Sequence, residues 1–130
     1  MPYIDIGMDV HEAEKGHQMS GQVILSLPGG PCMRCLDFLT EKNLAREAAR
    51  YGDTGGRPQV VWPNGVLASS AISIFTDLLT GWSGMRDRVA YLVYDGNTGV
   101  IGDHIRLRFA PGRCVHYPIS QIGKPRYVKL

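Results

Sequence analysis

Two cysteines three positions apart, Cys32 and Cys35, follow directly on Pro28-Gly29-Gly30-Pro31. A third, Cys114, lies beyond 78 intervening residues, with His116 two places after it. Two thiolates at the first spacing can converge on one tetrahedral metal if the backbone between them turns tightly. A zinc site takes about four protein ligands, so a second pair must come from far away in the chain. Cys114 and His116 are that candidate pair, and joining the two pairs forces the chain to return, after most of its length, to where the first pair stands. An odd cysteine count argues against a closed disulfide framework. Three states of the thiols stay open: zinc on Cys32, Cys35, Cys114 and His116, metal-free reduced thiols, or a Cys32–Cys35 disulfide. A thioredoxin-type redox pair is a further reading of the same CxxC, because Pro31 precedes it and a helix is expected after it.

The segments around these residues read as a mixture of strands and helices. Tyr3 to Met8 reads as a short buried strand, Asp9 to Ser20 as a polar stretch, and Gly21 to Leu27 as a second, β-branched strand. Thr40 is a helix cap for Glu41–Arg50, with Gly52 as the stop and residues 53–58 as a loop. A longer helix is expected over 65–80, capped by Asn64 and ended by Gly81; its apolar residues cover more than one stripe. Val89 to Asp95 is a third strand, residues 96–99 a turn, and Ile101 to Phe109 an alternating strand that pairs back as a hairpin. The expected architecture is α/β: a partial mixed sheet with an antiparallel edge hairpin, two main helices and a terminal zinc-knuckle-like site.

Composition narrows the function classes. The chain of 130 residues suits one domain, with 44% hydrophobic residues to build a core. No apolar run is long enough for a membrane span, and the start at Met1-Pro2-Tyr3 has no secretion-signal pattern, so a cytoplasmic protein is expected. Lys124, Arg126 and Lys129 concentrate charge in a tail over 121–130, expected to be solvated and frayed. The body, 1–120, then holds 11 basic against 12 acidic residues and does not read as a nucleic-acid surface.

The ordered series of motifs resembles the C-terminal half of ThiF/MoeB-type adenylyltransferases, relatives of ubiquitin-activating enzymes. The pieces are Pro2-Tyr3-Ile4, Gly21-Gln22-Val23, Pro31-Cys32-Met33-Arg34-Cys35, Gly65-Val66-Leu67-Ala68, Leu78-Leu79-Thr80-Gly81, Tyr94-Asp95 and Pro111-Gly112-Arg113-Cys114. They span roughly residues 2–118. The resemblance implies the distal half of a nucleotide-binding α/β domain ending in a zinc knuckle. It also implies an ancestral activity, adenylation of the C-terminal glycine of a ubiquitin-like or sulfur-carrier protein with MgATP, often in a homodimer.

The sequence departs from that family in three places. There is no Gly-x-Gly-x-x-Gly and no Walker-type lysine loop. The chain is therefore expected to be a fragment that starts beyond the nucleotide-binding half and cannot use ATP and magnesium unless that half is supplied. The acyl-accepting cysteine of many relatives has no counterpart in Gln59-Val60-Val61-Trp62-Pro63-Asn64, so no thioester step and no catalytic residue is assigned. Tyr117 stands where the fourth zinc cysteine would be, and His116 is the substitute. The expected partners are a second copy of the chain, an N-terminal half, or a ubiquitin-like carrier. Two alternatives accompany this reading: a stand-alone zinc-containing interaction module and a CxxC redox protein.

Other candidates read as structural. His11-Glu12-Ala13-Glu14-Lys15 lacks the second histidine of a zinc-protease motif and is expected in a solvated loop, as is His17 at the surface. Gly52 to Arg57 reads as a loop rather than a phosphate cradle. Asp95 reads as a turn former. Asp103 and His104 would point to opposite faces of a strand. Trp62, Phe75 and Trp82 read as core or interface anchors.

Overall fold

The computed structural model describes residues 1–50, 60–84 and 89–121. Four strands form one sheet in the order β1 (Tyr3–Ala13), β2 (Gly16–Ser26), β3 (Ala90–Asp95) and β4 (Val100–Asp103). Two helices, α1 (Glu41–Arg50) and α2 (Val61–Thr80), lie between β2 and β3 in sequence. Every pairing between these strands is antiparallel. The expected mixed sheet is thus corrected to a wholly antiparallel one. The long excursion through both helices returns the chain beside β2 in the opposite direction, so no parallel pair arises among the described strands.

The first two strands make one long hairpin, from Tyr3 opposite Ser26 to Ala13 opposite Gly16. The polar stretch expected over Asp9–Ser20 is therefore strand, apart from Glu14 and Lys15 at the turn. Gly16 accepts a φ of +100°, which lets the two-residue connection close. Backbone pairing carries the ribbon beyond the core, where side-chain hydrophobicity no longer signals it.

Both faces of β2 are covered near its end, which explains the unbroken apolar run Val23-Ile24-Leu25, all fully buried or nearly so. On one face Val23 packs with Leu67 and Ala71 of α2 and with Tyr94, flanked by Ile4, Met8, Ile74 and Leu92. On the other, Ile24 packs with Leu36 and Tyr91, flanked by Met33, Phe38, Val89 and Leu107. The segment that carries the CxxC is thereby seated on the opposite face of the sheet from α2. Gly21 makes the α2 side possible: a Cβ there would stand 2.5 Å from Leu67 Cδ1 and 2.8 Å from the Gly7 carbonyl oxygen.

Helix α1 is capped as expected, with Asn43 N–H donating to Thr40 Oγ1 at 3.1 Å. Its expected stop at Gly52 and the loop over 53–58 lie outside the described residues. Helix α2 begins at Val61, one turn before the expected start, and Asn64 is not its cap. Pro63 falls in the first turn, where its missing N–H would have no intrahelical partner, so the helix extends through it. Gly81 ends α2 in the left-handed conformation, φ 63°, with its N–H on the Asp77 carbonyl.

The strand expected over Ile101–Phe109 is also shorter. β4 stops at Asp103, and Ile105–Phe109 winds into a 3₁₀ turn capped by His104, whose Nδ1 accepts from Arg106 N–H at 3.0 Å. Residues 122–130 of the expected tail, Lys124, Arg126 and Lys129 among them, lie outside the described residues. No described helix is long and apolar enough to cross a membrane.

Candidate metal centre

Backbone hydrogen bonds bring the two cysteine segments together. Gly29 N–H donates to the Tyr117 carbonyl at 2.7 Å, and Cys114 N–H donates to the Gly29 carbonyl at 3.1 Å. This short pairing lays the 114–117 segment beside the loop that leaves β2. Gly29 sits at φ +84°, a conformation that suits glycine, just before the CxxC. Beyond it the chain folds tightly: Leu36 N–H reaches the Cys32 carbonyl, and Phe38 and Leu39 N–H both reach that of Met33. Asp37 takes φ 54° to close the turn. Leu36, buried between Ile24 and Tyr91, fastens this turn to the sheet.

The result places Cys32, Cys35, Cys114 and His116 with all four ligand atoms within 4.8 Å of one another, a group that could hold a metal ion. Cys35 Sγ is 3.9 Å from Cys32 Sγ and 3.5 Å from Cys114 Sγ. His116 Nδ1 is 3.9 Å from Cys32 Sγ and 3.5 Å from Cys35 Sγ. The three cysteines are free of disulfides. Cys32 and Cys114 are buried, Cys35 is half-buried, and His116 is exposed.

The thiols differ in proton affinity. Burial pushes Cys35 up to about 11, reinforced by the hydrogen bonds it shares with Cys114 and Cys32. Burial also raises Cys114, but hydrogen bonds from Cys35, from Cys32 and from the N–H groups of Tyr117 and His116 outweigh it and hold the thiol below its usual value. Tyr117 N–H lies 3.2 Å from Cys114 Sγ. Tyr117 thus contributes its backbone N–H, and His116 offers the fourth candidate ligand atom.

Reasoning from sequence missed the parts that hold this arrangement. Arg106 pairs with Asp37 across the turn. The His104 ring stacks on Tyr91 with centroids 4.3 Å apart and planes 5° apart, and Phe38 meets Tyr91 edge-on. The run Pro28-Gly29-Gly30 was the available signal for the Gly29 crossing; nothing in the sequence marks the Arg106–Asp37 pair.

The remaining candidates fall elsewhere. His11 lies in β1, not in a loop, beside Asp9; His17 is exposed at the start of β2. Asp95 is a turn former: its carboxylate accepts from Asn97 N–H at 2.9 Å and Thr98 N–H at 3.3 Å. Asn97 reaches back to Met19 N–H and the His17 carbonyl. Trp62, Phe75 and Trp82 are exposed and do not belong to the core. The glycine-rich stretch 52–57 lies outside the described residues. A groove of about 810 Å³ separates β1 from α1, lined by Asp5, Met8, Phe38, Asn43 and Leu44 among others, and by none of the four ligands.

No protein-family model, curated protein or solved structure matches the chain.

Proposed function

We propose that Cys32, Cys35, Cys114 and His116 hold one structural zinc ion, and that the chain serves as a zinc-stapled protein-interaction module. The distances within the cluster carry this reading. Zinc–sulfur bonds of about 2.3 Å and zinc–nitrogen bonds of about 2.05 Å at tetrahedral angles put sulfur–sulfur pairs about 3.8 Å apart and sulfur–nitrogen pairs about 3.6 Å apart. Four of the six pairs, 3.9 and 3.5 Å between sulfurs and 3.9 and 3.5 Å from sulfur to nitrogen, lie close to those values, and all six fall within 4.8 Å. Four protein ligands close the coordination sphere, which is the mark of a structural rather than a catalytic site. A reducing compartment such as the cytoplasm keeps the three thiols available. Metal analysis of the purified chain tests the reading, with one zinc per chain expected. A metal-free protein whose three thiols titrate freely would contradict it.

A second reading is favoured by where the family-like motifs fall. The Pro-Cys-x-x-Cys follows β2, Gly65-Val66-Leu67-Ala68 lies in α2, Tyr94-Asp95 ends β3, and Cys114 closes the cluster. The chain would then be the distal part of a carrier-activating enzyme, binding a ubiquitin-like carrier but leaving ATP and magnesium to an N-terminal half. The outer edge of β1, bordering the 810 Å³ groove, suits an extended carrier tail added as a further strand. ATP–pyrophosphate exchange tests it: none from the chain alone, and exchange when the half carrying a phosphate-binding loop is added. Exchange by the chain alone would contradict it.

A further inference from the structure

One flank of α2, beside the face buried on the sheet, carries a second apolar stripe. Val61, Gly65, Ala68, Ile72, Phe75 and Leu79 recur at spacings of four, three, four, three and four, the seam of a helix that packs on another helix. All six are exposed, with Val61 at 82%, Ile72 at 63%, Phe75 at 49% and Leu79 at 67%. The adjoining face, through Pro63, Leu67 and Ala71, is the one buried on the sheet. Among the described elements, α2 packs on β1 and β2.

We propose that this seam joins two copies of the chain through antiparallel α2 helices related by a two-fold axis. The order of side chains commits it to a second copy. Turning the seam end for end about position 70 sets Val61 against the partner's Leu79, Gly65 against the partner's Phe75, and Ala68 against the partner's Ile72. Each small residue then receives a large one, so the stripe complements its own reverse, as an isologous interface requires. The small residues also admit the close approach of two helices. Repulsion does not oppose the pairing, because Asp77, the single charged residue of α2, is bonded to Ser83 at the helix end.

The area is sufficient. With the flanking Trp62 and Trp82, exposed at 60% and 68%, and aromatic side chains covering roughly 150–250 Å² each, the face leaves on the order of 500 Å² of apolar surface in water. An interface of standard size covers roughly 800 Å² per partner, about 65% of it apolar in homodimers.

The proposal rests on reading the chain as an interaction module, and not on the metal. Sedimentation equilibrium on the zinc-loaded chain at hundred-micromolar concentration, with circular dichroism as the check on folding, tests it. The wild type is expected at twice the chain mass. Ala68→Glu and Ile72→Lys alone are expected to sediment as monomers. Their equimolar mixture is expected to recover the doubled mass, because the carboxylate introduced in one copy faces the ammonium introduced in the other. Should Ile72→Lys disturb the helix, Ile72→Ser is expected to weaken association in the same direction. A monomeric wild type, variants that still dimerise, or a mixture that stays monomeric would overturn the proposal. A zinc-loaded monomer would remove the seam and leave the metal reading; a metal-free dimer would do the reverse.

Discussion

The N–H of Gly29 donates to the carbonyl of Tyr117 across 2.7 Å, tying the loop after β2 to the segment that carries Cys114 and His116. Together with the bond from Cys114 back to Gly29, it sets the two ligand pairs face to face. The side chains of Leu36 and Ile24 then anchor that cluster to the sheet. The cysteine–histidine cluster and the core are therefore one packed unit, and disturbing either is expected to register in the other.

Leu36→Ala tests this coupling. Leu36 is 1% exposed and follows Cys35 directly. Truncating a buried leucine leaves a cavity and costs about 2–5 kcal/mol. The expected outcome is a loss of that size in denaturant unfolding, together with faster loss of metal to a chelator. Unchanged metal release in a clearly destabilised variant would mean that the cluster is held independently of the sheet.

Gly21→Val addresses the opposite face. The added side chain meets Leu67 Cδ1 at 2.5 Å and the Gly7 carbonyl oxygen at 2.8 Å. Leucine can rotate away, but the carbonyl belongs to the neighbouring strand and cannot move without opening the β1–β2 ladder. Overpacking of this kind costs about 1–3 kcal/mol. A midpoint shift in chemical unfolding measures it, and metal content is expected to stay unchanged because α2 and the thiols occupy opposite faces.

Much of this organisation was legible in the chain. The β-branched, mostly apolar run through Val23-Ile24-Leu25 announced a strand, Thr40 and Gly81 marked helix ends, and the cysteine spacing anticipated the cluster. What escaped were features set by partners rather than by local pattern. Residues Asp9–Ala13 and Gly16–Ser20 are strand because their backbones pair with each other, whatever their side chains favour. His104 N–H still reaches the Tyr91 carbonyl, but its ring caps the turn that follows and the chain leaves the sheet there, so the alternation through Phe109 was a false strand signal. The early start of α2 depends on Pro63 being tolerated in a first turn, which competes with the usual reading of proline as a stop.

The turn between β3 and β4 gives a pH dependence. Hydrogen bonds from the Thr98 side chain, then from Asn97 N–H, hold the Asp95 carboxyl below its usual value. A carboxyl whose folded value is depressed stabilises the fold above its unfolded pKa, and that contribution disappears as pH falls through the folded value. Thermal unfolding of wild type and Asp95→Ala is therefore expected to differ most near neutrality, the gap narrowing as the solution is acidified through the carboxylate range. A gap that widens on acidification would reverse the assignment.

X-ray absorption at the zinc edge of the purified chain reads the coordination shell itself. Three sulfur neighbours at about 2.3 Å and one nitrogen at about 2.0–2.1 Å are expected, with the nitrogen contribution lost in His116→Ala. A shell of oxygens and nitrogens without sulfur, or a spectrum unchanged by that substitution, would contradict it.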